Sequence, residues 1–183
     1  MKNSSILKYV VLLMVVITLI VTWAYVEDQD SYSDPVKAIE AIDKELLLIP
    51  AYQLGDKSLY FFIKDKNNLG ATIVRKGIFG WKSGMLTWGP LDSKREYEML
   101  EGFHGHGEGL VYGLIRNGDE RVVTVDDQEA QVLNLAMLPP SVVKKYNLEG
   151  LYLWYFESDN NLNHEQVKLL RKNTQEIIQS IDL

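Results

Sequence analysis

The chain has 183 residues, a formal net charge of −6 and no cysteine. The missing cysteine excludes disulfides, a thiol nucleophile, thiolate metal ligation and a lipid-modified cysteine. Lys2 and Lys8 are the only charges before Glu27, so the remainder carries −8; with its Lys and Arg scattered, it is poorly suited to grip nucleic acid.

Residues 9–26 (YVVLLMVVITLIVTWAYV) hold no charge, and Glu27, Asp28 and Asp30 come directly after them. At about 1.5 Å per residue the run makes roughly 27 Å of helix, close to the hydrocarbon thickness of a bilayer. Lys2 and Lys8 before it and acidic residues after it predict a cytoplasmic tail, residues 1–8, and export of the chain beyond Val26. A secretory signal has similar flanks, but its apolar core is usually only ~7–15 residues, and Thr22-Trp23-Ala24 is a poor small-x-small cleavage site. The reading is therefore an uncleaved single-pass anchor, with Trp23 and Tyr25 at the headgroup layer of its outer end. Thr18 and Thr22, four apart, are the small polar pair through which this helix could meet another membrane protein.

Residues 27–33 form a polar spacer. Asp28 and Asp30 imitate a calcium loop, but Ser33 and Ile39 stand where Gly and a bidentate Glu are needed. Asp34-Pro35 carries the N-cap and first-turn signature of a helix. Val36, Ile39, Ile42 and Leu46 extend it toward Leu47, short of Pro50. The period then changes. Residues 59–63 (LYFFI), 71–75 (ATIVR), 78–82 (IFGWK) and 85–88 (MLTW) predict four strands, and their short connections favour an antiparallel meander.

Residues 92–101 (DSKREYEMLE) read as a charged surface segment with Met99 and Leu100 touching the core. Residues 110–115 (LVYGLI) and 121–125 (RVVTV), joined through Asn117-Gly118-Asp119, predict a hairpin. Residues 130–136 and 151–156 (LYLWYF) predict further strands, with a short helix at 141–146 between them. From Asn163 onward, Val167, Leu170, Thr174, Ile177, Ile178 and Ile181 recur at helical spacing. With Asn163 and Gln166 as a capping pair, they predict a C-terminal helix.

The most unusual chemistry lies at His104, His106 and Glu108. In an extended chain, alternation puts all three on one face, where two imidazoles and a carboxylate could hold a metal. The pattern departs from a cupin's, which places its Glu where this chain has Leu110 and requires a third His on another strand. The surrounding glycines suit a flexible connection with solvated histidines, and that is the preferred reading. Gly80-Trp81-Lys82-Ser83-Gly84 has the wrong spacing for a nucleophile elbow, and no phosphate-cradling loop is present. Glu96, Glu98 and Glu101 sit among other charges and read as a solvated face. Asp159, Asn161 and Asn163 lack the Gly and Glu of a calcium loop. Trp81, Trp88, Trp154, Tyr152 and Tyr155 are either core or an exposed stacking surface, with core preferred.

The run LYFFIKDKNNLGATIVRKGIFGWKSG resembles a pattern in small, uncharacterised bacterial membrane-anchored extracytoplasmic proteins. Those have one N-terminal anchor or signal, then a helix and a strand meander. The resemblance covers about residues 34–84; it implies a membrane-held extracytoplasmic domain and transfers no catalytic residue.

The expectation is an α+β protein: a mostly antiparallel β-sheet or small sandwich flanked by an N-terminal and a C-terminal helix, preceded by one transmembrane helix. The tail is residues 1–8, the anchor 9–26, the spacer 27–33 and the extracytoplasmic domain 34–183. The expected role is a binding, sensing or assembly module of a bacterial envelope, with no catalytic constellation and no cofactor. Its expected partners are the membrane, through the N-terminal helix, and an envelope or membrane protein. The alternative is a metal-binding or hydrolytic envelope protein using His104, His106 and Glu108.

Overall fold

A computed structural model describes residues 2–92, 95–100, 104–107, 109–160, 162 and 165–183, with side chains from residue 7 onward. The first element is helix α1 (Lys2–Gln29). Its segment Leu7–Gln29 has mean hydropathy 2.5 and none of its apolar window buried, so it is long and apolar enough to cross a membrane. Thr18 Oγ1 donates to the Met14 carbonyl at 2.9 Å, which satisfies that hydroxyl within the helix itself.

Helix α2 (Pro35–Glu40) starts where the sequence predicts: the Asp34 carboxylate accepts from the Lys37 N–H at 2.9 Å and Pro35 opens the first turn. It stops well short of Leu47: residues 41–46 run as turns, and Leu47–Leu54 then pairs as strand β1. Pro50 is tolerated there because β1 is an edge strand. The first three arms of the expected meander come next as β2 (Lys57–Lys64), β3 (Asn68–Lys76) and β4 (Trp81–Ser83), with Ile78 and Phe79 in the connection and not in the strand; the fourth, β5 (Thr87–Pro90), departs from a meander by pairing back on β3. The sheet order is β1-β2-β3-β4, with β5 also on β3.

Two further antiparallel sheets are built from β6 (His104–His106), β7 (Leu110–Arg116), β8 (Arg121–Val125), β9 (Gln128–Glu129), β10 (Gln131–Asn134), β11 (Leu151–Glu157), β12 (Gln166–Arg171) and β13 (Ile177–Asp182). One runs β10-β11-β7-β6 and the other β13-β12-β8-β9. Helix α3 (Pro140–Tyr146) lies between β10 and β11 in the chain and ends at Asn147, left-handed with φ 55°.

The chain divides into two compact units. The first comprises 1–46, 52–60 and 72–86. Ala38, Ile39, Leu59, Ile73, Val74 and Trp81 are buried in it. Tyr32 and Trp81 exchange backbone hydrogen bonds of 2.9 and 2.8 Å, and Lys82 Nζ meets Glu27 at 2.8 Å.

The second unit comprises 47–51, 61–71 and 87–183. Its central strands β7 and β11 pair from Leu151↔Arg116 to Glu157↔Leu110. Side chains alternate across a strand, so each of these strands serves two faces. Val111, Ile115 and Trp154 join a buried cluster with Val123, Val125, Val167 and Leu169 of β8 and β12. Tyr112 and Tyr155, on the opposite face, meet Phe61 with ring centroids at 5.1 and 5.4 Å. The charged segment near residue 100 is tied down as well. Arg116 Nε donates to the Glu96 carbonyl at 2.7 Å, Arg121 pairs with the Glu98 carboxylate, and Leu100 is buried.

Two further expectations are corrected. The Asn117-Gly118-Asp119 turn exists, but β7 and β8 do not pair across it: β7 takes β11 and β6, whereas β8 takes β12 and β9. The nearly all-apolar β7 is buried on both faces, and the apolar β11 covers its flank where the half-polar β8 would leave an exposed edge. The expected C-terminal helix is absent. Residues 166–182 form the β12–β13 hairpin, turning at 172–175 with Gln175 left-handed at φ 57°. In β12, Val167 and Leu169 alternate inward and complete the core, which a helical stripe here would not do.

Candidate functional site

The candidate site is the strand bearing the two histidines. Strand β6 pairs with β7 as His104↔Tyr112, Gly105↔Val111 and His106↔Leu110. Residues two apart in a strand share a face, so His104 and His106 point to the same side while Gly105 is exposed. The histidines are thus not the solvated loop residues that the glycines suggested. His106 is buried, and His104 is half-buried against the Tyr112 ring at 5.6 Å between centroids.

Two glycines in this region are there for close approach. A Cβ at Gly89 would run into the His104 ring, so β5 can lie against β6 only with glycine at that place. Gly109 has φ +72°, and a Cβ on it would collide with the Ser158 carbonyl. The glycines at these positions therefore serve packing, not flexibility.

Burial holds the His104 pKa below its ordinary value; a hydrogen bond to the Pro90 carbonyl opposes this and the Arg95 charge adds to it. A neutral ring at pH 7 is the consequence. Tyr112, fully buried, has its phenol pushed up to about 12 by desolvation, with Thr87 acting the other way. The Tyr112 and Thr87 hydroxyls lie close enough to influence one another, yet neither has a partner at hydrogen-bond geometry among the described residues. Such a phenol stays protonated at neutral pH and is no ready nucleophile.

Of the three predicted metal ligands, His104 and His106 are brought to one side of β6, and Glu108 lies outside the described residues. Among the described residues no group of three His, Asp or Glu is placed to hold a metal. Of the carboxylates weighed in the sequence, Glu98 is paired with Arg121 and Glu101 lies outside the described residues. The aromatic candidates divide. Trp81, Trp154 and Tyr155 are buried and Tyr152 packs against the core, whereas Trp88 is 49% exposed with Lys64 Nζ 4.9 Å over its ring.

Tyr112, Thr87, Gly89 and Phe61 complete the histidine surroundings, and none stands out in the sequence. Only strand register reveals them, and register is a long-range property that no local spacing carries. Comparison of the chain with protein-family models, with curated proteins and with solved structures gives no match.

Proposed function

We propose that the protein is a membrane-anchored binding, sensing or assembly module on the outer face of a bacterial cytoplasmic membrane. The observation that carries this is α1, whose apolar window has none of its surface buried by the rest of the chain. Each large apolar side chain gains about 1.5–3 kcal/mol on leaving water, so a helix exposing Val10 through Ile20 calls for an apolar medium. The charges at its two ends give the orientation: Lys2 and Lys8 inside, Glu27, Asp28 and Asp30 outside. The resemblance to small bacterial anchored proteins points the same way, and the two sheets of the second unit then form the small sandwich of an exported domain. Exposed Trp88 beside Lys64 offers an aromatic and cationic contact for an envelope partner.

Alkaline extraction of cell membranes tests the anchor. The protein should stay in the pellet with an intact mass that includes residues 1–26. Release into the supernatant, or a mass beginning after Ala24, would contradict it. The second reading, metal binding by His104, His106 and Glu108, draws on the shared side of β6. We expect purified protein to carry far less than one equivalent of zinc, manganese or iron; stoichiometric metal that vanishes in a His104→Ala/His106→Ala variant would favour that reading instead.

A further inference from the structure

The first unit contains a second apolar feature beside α1. The β3–β4 connection, Gly77-Ile78-Phe79-Gly80, exposes Ile78 at 88% and Phe79 at 37%. A hairpin tip with two large apolar side chains in water is unfavourable unless something covers it. Its position says what does. Phe79 packs edge-on against Trp23 of α1, with ring centroids at 6.0 Å and planes at 71°. Trp23 lies within the charge-free run, three residues before its end at Val26, or about 4–5 Å back along the helix axis. The contact is held from both sides: Tyr32 and Trp81 exchange their two backbone hydrogen bonds, and the Lys82–Glu27 ion pair closes the gap between the strand and the helix end. The β1–β2 turn lies beside the end of β3, where this connection begins. Asp56 accepts from the Lys76 N–H at 2.7 Å, and Leu54 before it is 76% exposed.

We propose that Ile78, Phe79 and Leu54 form a second membrane contact, inserted into the interfacial layer of the bilayer that α1 crosses. The occupant is lipid, because Trp23 fixes the tip at the depth of the apolar span. The inference rests on the anchor reading above. It adds that the first unit is seated on the membrane at a fixed orientation, and does not swing from a flexible tether. Arg75 and Lys76, exposed at the end of β3, would stand among the headgroups as the tip enters.

The absence of native cysteine makes the test direct. Full-length protein carrying Ile78→Cys, Leu54→Cys or Leu13→Cys is labelled with an environment-sensitive fluorophore and reconstituted in phosphatidylcholine vesicles. Ile78 and Leu54 are exposed, so replacing them leaves the folded core intact. At both positions the label should emit to the blue of its position in water, lose most of its intensity to lipid spin-labelled near the headgroup, and resist aqueous iodide. At Leu13 it should be quenched by lipid spin-labelled deep in the chain. Iodide quenching at residues 54 and 78 with lipid quenching kept at residue 13 overturns the second contact alone. Loss of lipid quenching at all three positions overturns the anchor and this inference together.

Discussion

Leu169→Asp should abolish cooperative folding of the second unit, whereas Ile177→Asp should shift its urea midpoint only slightly. Leu169 has no exposed surface and sits in β12 between Val123 and Gln179, so a carboxylate there would be buried without a partner. Such a charge costs several kcal/mol, a large part of the roughly 5–15 kcal/mol that holds a domain together. Ile177 is 55% exposed at the start of β13, and surface changes of this kind stay within about 1 kcal/mol. A C-terminal helix requires the reverse order, because Ile177 lies on the stripe that such a helix would bury. Urea titration of the full-length protein in detergent, monitored by tryptophan fluorescence, separates the two.

A second large effect is expected at Tyr112. Tyr112→Ala removes a ring packed against Phe61 and His104 and should cost about 3–5 kcal/mol, the range for truncating a buried aromatic. Tyr112→Phe should change stability by less than about 1 kcal/mol at pH 7, because no described residue holds the hydroxyl at bonding geometry. The two proteins should then separate in alkali. Desolvation raises the folded phenol to about 12, above the unfolded value of about 10. The contribution of the neutral phenol is therefore fully present below pH 10 and drains away as pH rises toward 12. Tyr60, Tyr97 and Tyr155 are also raised by burial, so both proteins weaken in this window. The wild type should weaken more steeply, and parallel loss in the two would show that Tyr112 ionises as freely in the fold as outside it.

How much of the fold is legible in the sequence depends on the range of the forces involved. The α1 span, the Asp34-Pro35 helix start and the β2–β3–β4 meander are local features, set by hydropathy, capping and turn residues, and they are legible. The extent of α2 is not: Ile42 and Leu46 continue its apolar spacing, yet residues 41–46 turn the chain into β1. The C-terminal segment is ambiguous in kind. Val167 and Leu169 fit a strand, Val167, Leu170 and Thr174 fit a helix, and only the open flank of β8 decides between them. The histidine strand shows the same limit. Alternation puts His104 and His106 on one side, as the residues imply; Gly105 and Gly107 have open space around them, but Gly109 misleads. Gly89 and Gly109 mark tight backbone packing that appears only when β5 and residue 158 are brought alongside.

The charges around α1 supply the final test. A pair of reporters fused after Leu183, one active only when exported and one only in the cytoplasm, reads directly which side of the membrane the folded part occupies. The exported reporter should be active and sediment with membranes while the cytoplasmic one stays silent, since Lys2 and Lys8 oppose a purely acidic flank. Activity of the cytoplasmic reporter alone would contradict the orientation, and with it the assignment of this protein to the outer face.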